Sequence, residues 1–236
     1  MSTSEDARVA DDIRSAMAEL AANFAGHTEL EPVLDAVAKQ AVRLIPEVDF
    51  ADILLIDEDG HRSLAPTSPI TVKLDTIQVE LGQGPCLEAI TNEPLVHSAD
   101  FGNESRWPEF SLAAMDHGIQ SMMSFHLYTH PDKTRGGITG RGALNLFSRN
   151  VGPFSPADQA VGAMLATHAA TALIAANRQV QFESALHSRD VLGQAKGILM
   201  ERFKIDAVRA FDLMVKLSQD TNTPVRIIAQ RIVDNP

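Results

Sequence analysis

Residues 184–236 read SALHSRDVLGQAKGILMERFKIDAVRAFDLMVKLSQDTNTPVRIIAQRIVDNP. Their apolar positions recur at steps of three and four, which predicts three consecutive amphipathic helices. The first, from about Ser184 to Phe203, carries Val191, Ala195, Ile198, Leu199 and Arg202 along one side. Asp206 is a suitable N-cap for the second, in which Phe211, Met214, Val215 and Ser218 share a face. Thr223-Pro224 is an N-cap followed by proline at the first helical position, opening a third helix striped by Val225, Ile228, Ala229, Ile232 and Val233. Helices of this size enclose a small core, marginal for independent folding, so the tail is expected to lean on the preceding helix or on a second chain. Arg189 and Lys196 lie about 20° apart at the edge of the first helix's apolar face, and Arg226 and Gln230 share one side of the third. These groups stand where an outside ligand could meet them; solvated helix residues are the plainer reading of the spacing alone.

Charge separates this tail from what precedes it. The 236 residues hold 20 basic and 31 acidic side chains, a net charge of -11 that argues against a protein coating nucleic acid and confines any such binding to a local patch. From Val180 onward eight basic residues face seven acidic ones, so the tail is at +1 and the body at -12. At 44% hydrophobic and 22% charged the composition is globular, which excludes a disordered chain. Cys86 is the sole cysteine, which rules out an intramolecular disulfide and a multi-cysteine zinc site. The N-terminus is acidic where a leader would be basic, and no apolar run approaches the roughly 18 residues of a membrane span. The expectation is a soluble, cytoplasmic protein without a membrane partner.

Upstream, Ile13, Met17, Leu20, Ala21 and Phe24 predict one amphipathic helix, and Leu30 to Leu44 a second. The period then changes. Phe50 to Ile56 is an apolar run ending in Asp57-Glu58-Asp59-Gly60, a hairpin turn signature. Gly82-Gln83-Gly84-Pro85 leads into a short helix from Cys86 to Ile90, Pro94 to Ser98 reads as a strand, and Pro108 to His117 as a helix stopped by Gly118. Ile119 to Tyr128 and Ala143 to Phe147 are strands around a glycine-rich loop over 131–142. The fold class is α+β with a meandering sheet. From Ser155-Pro156 a long helical pattern carries Val161, Leu165, His168, Ala172, Ala175, Gln179, Phe182 and Leu186 as a seam. Such a seam suits a homodimer through long helices, or packing on the body's own sheet.

On these residues the tail resembles an ANTAR domain, the three-helix RNA-binding module of transcription antiterminators. Gln194 to Arg202 matches its first-helix signature; Ala210-Phe211, Leu213, Leu217-Ser218-Gln219 and Asn222 continue it, and Ile228-Ala229 with Ile232-Val233 close it. Pro224 stands where that family usually has a basic residue, and Ile227 where it is more often polar. The resemblance implies recognition of RNA with paired hairpins through Lys196 and Arg226, with Arg189, Gln230 and Asn222 as further contacts. It also implies that Ala195, Gly197, Phe211 and Ala229 are core or close-packing positions. The body is similar to a GAF domain, the small-molecule sensor fold with a central antiparallel sheet. The likeness rests on Phe50 to Ile56, Gly82 to Cys86 with Glu88-Ala89, Glu93 to Val96, Asp100, Gly142 to Leu146, Phe154-Ser155 and Asp158. The implied division is an N-terminal helix over 1–27, a GAF-like sensor over 28–178 and an ANTAR domain over 179–236.

Chemistry-bearing residues are sparse. Cys86 near a helix N-terminus could be a redox or attachment site, but a lone cysteine is more often a buried small apolar residue. His97, His117, His126, His130 and His168 are too dispersed for a metal motif, so no metal is assigned and heme is the lesser reading. Asp57-Glu58-Asp59 reads as a solvated turn. Gly82 and Gly84 lack the lysine and hydroxyl of a phosphate-binding loop, and no nucleophile elbow or Glu-Xaa-Xaa-His pair is present. Trp107, Phe125 and Cys86 are the candidates for lining a ligand pocket that would take a small-molecule effector. The expectation is a non-enzymatic regulator whose sensor governs an RNA-binding tail; the alternative is a dimerisation or protein-docking module without RNA affinity.

Overall fold

The computed structural model describes residues 11, 14, 15, 17–19, 21, 22, 30–57, 60–91, 93–127, 140–152 and 154–235. Most of the expected first helix lies outside these residues, as do Tyr128 and most of the glycine-rich loop; the described positions between 11 and 22 are helical. Among the described residues the chain forms two compact units, one up to Asn177 and one from Arg178 onward.

The first unit is built on a five-stranded antiparallel sheet of β1 (Phe50–Asp57), β2 (Gly60–Leu64), β3 (Leu95–Ser98), β4 (Ser121–Leu127) and β5 (Arg141–Ser148), in the order β2-β1-β5-β4-β3. Alternation along each strand sends side chains to two buried faces. Ala51, Ile53 and Leu55 of β1 join Met123, Phe125 and Leu127 of β4 and Leu144 and Leu146 of β5 on one face. Helix α1 (Leu30–Leu44) covers it with Val33, Leu34, Val37, Ala38 and Ala41. The front of a 48-residue helix, Pro156–Phe203, adds Val161, Leu165, Ala169, Ala172 and Leu173. Gly162 of that helix sits against the Phe125 ring so closely that a Cβ would collide with it.

On the opposite face lie α2 (Pro69–Leu81), α3 (Pro85–Ala89) and α4 (Pro108–Asp116). The expected hairpin, short helix, strands and Gly118 stop are present, Gly118 at φ 77°. Periodicity assigns no element to residues 61–81, and this is where α2 lies. Ser68 caps it, its hydroxyl accepting from the Ile70 N–H, and Gly82 ends it at φ 64°. Gln83 then does for α4 what no N-cap side chain does there: its Oε1 accepts from the N–H groups of Glu109 (3.0 Å) and Phe110 (3.5 Å).

The long helix bears on two expectations. Val161, Leu165 and Ala172 of the seam pack on the sheet of their own chain, the second of the two arrangements the seam suited. The other, that no apolar run approaches a membrane span, is corrected: Pro156–Phe203 is by length and composition apolar enough to cross a membrane, one 18-residue window averaging 1.3 in mean hydropathy. Val161, Leu165, Ala169, Ala172 and Leu173 at its front are spent on the sheet, as in the core helix of a domain, while Phe182 and Leu186 are exposed.

In the second unit the rear of Pro156–Phe203 is followed by α6 (Ala207–Thr221) and α7 (Val225–Asp234), the long helix being counted as α5. Val191, Ala195, Leu199, Ala210, Met214, Ile228 and Ala229 form its core. Asp206 caps α6 as expected, its Oδ1 accepting from the Arg209 N–H at 2.8 Å. The third helix starts one residue later than expected: Pro224 itself is the N-cap, with ψ 137°, and no side chain caps the helix.

Candidate nucleic-acid interface and sensor interior

Helix α7 presents Arg226, Ile227, Gln230 and Arg231 along one side, and with His187 and Val191 of the long helix they line a groove of about 230 Å³ in the second unit. The spacing of those four residues puts them on one helix face. Val191 and Ile227 give the groove an apolar floor. Arg226 and Arg231 are exposed, and neither has an ion-pair partner among the described residues. Gln230 Nε2 donates to Asp234 Oδ1 at 2.8 Å, which steadies the amide at the groove wall. Planar guanidinium donors above an apolar floor suit phosphate oxygens or base edges.

The structure divides the expected RNA-contacting residues. Arg226 and Gln230 are brought together in the groove, with His187 and Arg231 beside them. At about 100° per residue, Arg189 and Lys196 lie roughly opposite His187 around the helix axis. Arg189 is exposed, Lys196 half-buried, and both are unpaired among the described residues. Asn222 serves the backbone locally, closing α6 at φ 48° with its N–H donating to Ser218 O. Ala195 and Ala229 are buried as expected, but Gly197 and Phe211 are not core residues. An added Cβ at Gly197 would meet nothing within 4 Å, and Phe211 is 42% exposed. The face of α6 turned inward is centred on Ala210 and Met214, about 100° round from Phe211, because alanine lets the helix approach its neighbours closely. His187 and Arg231 belong to no motif in the sequence; their signal is position, one turn from Val191 and from Ile227.

Inside the sensor unit a polar rung crosses the buried face of the sheet. Asp52 pairs in register with Asn145, and Asn145 with Ser124. Asn145 Nδ2 donates to Asp52 Oδ1 and to Asp75 Oδ1, both at 3.1 Å, while its Oδ1 accepts from the Ser124 hydroxyl at 2.9 Å. Asp75 comes from α2, whose buried stripe is Thr71, Leu74, Asp75 and Gln78. Ser63 donates to Asp75 Oδ2 at 2.5 Å, and the Cys86 N–H donates to Gln78 Oε1 at 3.0 Å. Both carboxyls are enclosed, so burial raises Asp52 to about 6 and, with the Asp52 charge beside it, lifts Asp75 well above the usual range. Burial and both carboxylates likewise push the Cys86 thiol up, making it a protected, unreactive group.

Trp107 and Cys86 lie on this face of the sheet and Phe125 on the other, so the three do not line one pocket. The Arg106 guanidinium covers the Trp107 ring at 4.1 Å and is bound to Glu104 at 2.7 Å. Among the described residues no group of three His, Cys, Asp or Glu side chains is placed to hold a metal; His130 lies outside them. Asp57 pairs with Arg62 at 3.2 Å in the hairpin, and Glu58 and Asp59 lie outside the described residues.

Comparison with known proteins joins these two units to two families. The GAF domain profile matches residues 27–174 and the ANTAR domain profile residues 180–233. No curated protein matches the chain. Among solved structures, free methionine-R-sulfoxide reductase from Neisseria meningitidis in complex with its substrate is similar at 15% identity and a TM-score of 0.53, covering 71% of this chain and 91% of its own. The reduced form of fRMsr of Staphylococcus aureus is similar at 11% identity and a TM-score of 0.50, covering 68% and 94%. At such identities the likeness is one of fold, an antiparallel sheet with flanking helices, and the reductase chemistry stays with those proteins. With a five-stranded sheet covered on both faces, followed in sequence by a three-helix unit, the chain belongs to the GAF domain family and carries an ANTAR domain after its GAF domain.

Proposed function

We propose that this chain is a bacterial, cytoplasmic regulator of transcription antitermination: its ANTAR domain binds hairpin-containing RNA, and its GAF domain governs that binding without catalysing a reaction. The observation that carries the reading is the groove holding two unpaired guanidinium groups, Arg226 and Arg231, above Val191 and Ile227. An unpaired loop base fits such a groove by resting on the apolar floor, while the arginines meet its edge or the adjoining phosphate. Arg189 and Lys196, on the far side of the long helix, serve the flanking backbone. A protein of net charge -11 gains little from long-range attraction, so affinity must come from these local contacts. A gel-shift titration of the full chain against a two-hairpin RNA tests this. Hairpin RNA is expected to bind in preference to plain duplex and to weaken as salt rises. Arg226→Ala with Arg231→Ala should weaken binding at least about tenfold, the loss of two charge-assisted contacts. Equal binding by the double variant would overturn the assignment of the groove.

A second reading is favoured by Phe182, 62% exposed, and Leu186 on the long helix. These are the large apolar residues left of the seam once Val161, Leu165 and Ala172 are spent on the sheet, and they suit a homodimer through the long helices. Light scattering of the native chain and of Phe182→Ser with Leu186→Ser separates the readings. A dimer that the substitutions split, in a chain that ignores RNA, would favour a docking module.

A further inference from the structure

The GAF interior holds a feature that RNA binding does not call on. Two carboxyls, Asp52 of β1 and Asp75 of α2, are fully buried and share one amide donor, Asn145 Nδ2, at 3.1 Å each. Asp52 Oδ2 meets no donor among the described residues. The two carboxyls are held against the same nitrogen, so a proton on Asp75 can supply the donor that Asp52 Oδ2 lacks. The groups that meet the pair are neutral: Thr71 beside Asp52, Ser63 of β2 on Asp75, Asn145 of β5 on both, and the protonated Cys86 of α3. His61 of β2 reaches the same helix at Thr76, at 3.3 Å, and not the carboxyls. No lysine, arginine or histidine among the described residues compensates them.

We propose that the Asp52–Asp75 pair is a proton-operated latch, holding α2 on the sheet while a proton lies between the carboxyls and releasing it when the proton leaves. Without the proton two anions face each other away from water, an arrangement that is relieved by moving α2 outward. That movement carries further. Gln78 of α2 holds the start of α3 through the Cys86 N–H, and Gln83 holds the start of α4 through Glu109 and Phe110. The whole helical layer on this face is therefore tied to one protonation event.

The sign follows from linkage. A carboxyl raised in the closed state keeps a proton that the opened state gives up. The latch is fully set below the ordinary aspartate range of about 4 and loosens as pH rises, first toward 6, the value to which burial brings Asp52, and then through the raised range of Asp75, whose proton is the last to leave. His126, lowered by burial and by Arg141, titrates in the opposite sense and cannot produce this rise in opening.

Cys86, the sole cysteine and fully buried, is a built-in reporter. Its rate of alkylation in the full chain, divided by that of an unstructured peptide at the same pH, reads the opening equilibrium. Between about pH 4.5 and 6 that ratio should rise with pH by up to tenfold per pH unit for each proton released on opening. Asp52→Asn with Asp75→Asn should flatten it. A native ratio that does not rise with pH, or an equally steep rise in the double variant, overturns the latch. If the double variant does not fold by circular dichroism, carbon NMR of the native carboxyls decides: at least one aspartate must titrate above about pH 5.5, and none doing so overturns the proposal.

Discussion

Asn145 is the single side chain on which the sensor's polar rung converges, with two donations and one acceptance made inside a buried sheet. Asn145→Leu keeps the volume but takes a donor from each carboxyl, leaving Asp75 with Ser63, and strands the Ser124 hydroxyl. Removing donors to buried charged groups costs about 3 kcal/mol or more, to be read as a lowered urea midpoint followed by Trp107 fluorescence. A different constraint acts at Gly162, where the Phe125 ring occupies the space a Cβ would take. Gly162→Ala gains helix propensity yet should destabilise by about 1–3 kcal/mol, because the packed ring cannot yield without leaving its rotamer; the same denaturation checks it. Both partners of the rung's central pair are partly visible in the sequence. Asp52 falls in phase with Phe50 and Leu54, and Asn145 with Ala143 and Phe147, so each reads as a polar break in an otherwise apolar face. What the sequence does not show is the helix that completes the rung.

That helix, α2, has a buried stripe of Thr71, Leu74, Asp75 and Gln78, three of the four polar, so hydrophobic periodicity does not reveal it. Its terminal signals are plain, with Ser68-Pro69 at one end and Gly82 at the other. In α6 the situation reverses. Apolar residues at Val208, Phe211, Leu213 and Leu217 widen the pattern beyond the face that is buried, so the stripe is legible but its centre is not. Small residues decide the centre, since Ala210 permits the close approach and Phe211 does not. Asp206 shows how far capping chemistry can be trusted without coordinates: its carboxylate accepts from the Arg209 N–H, and Asp206→Ala should cost about 1 kcal/mol. A thermal melt followed by far-UV circular dichroism checks it, with the loss confined to the transition of the second unit. Pro224 marks the opposite case, where a fixed φ and an extended ψ hold the residue outside the helix it was expected to begin.

Across the whole chain the change of charge near Val180 anticipates the division into two units, because a boundary in function leaves a boundary in composition. The helix that runs through Pro156–Phe203 hides it from periodicity, since no stop signal falls at Ser184. The two units differ in what supports them. The sensor has two large apolar clusters, one on each face of its sheet. Among the described residues the second unit's core has seven buried side chains, three of them alanine, and so depends on very few. Met214 is the long side chain that α6 sends into this core, beside the small Ala210. Met214→Ala should therefore cost about 2–5 kcal/mol, comparable to the whole stability of a core this small. The sole tryptophan, Trp107, lies in the sensor, so two signals can be followed separately. In Met214→Ala the helical circular dichroism of the second unit should be lost at a lower temperature while the Trp107 fluorescence transition stays where it is, and RNA binding should disappear with the first. A Trp107 transition displaced by the same amount would mean that the two cores melt as one.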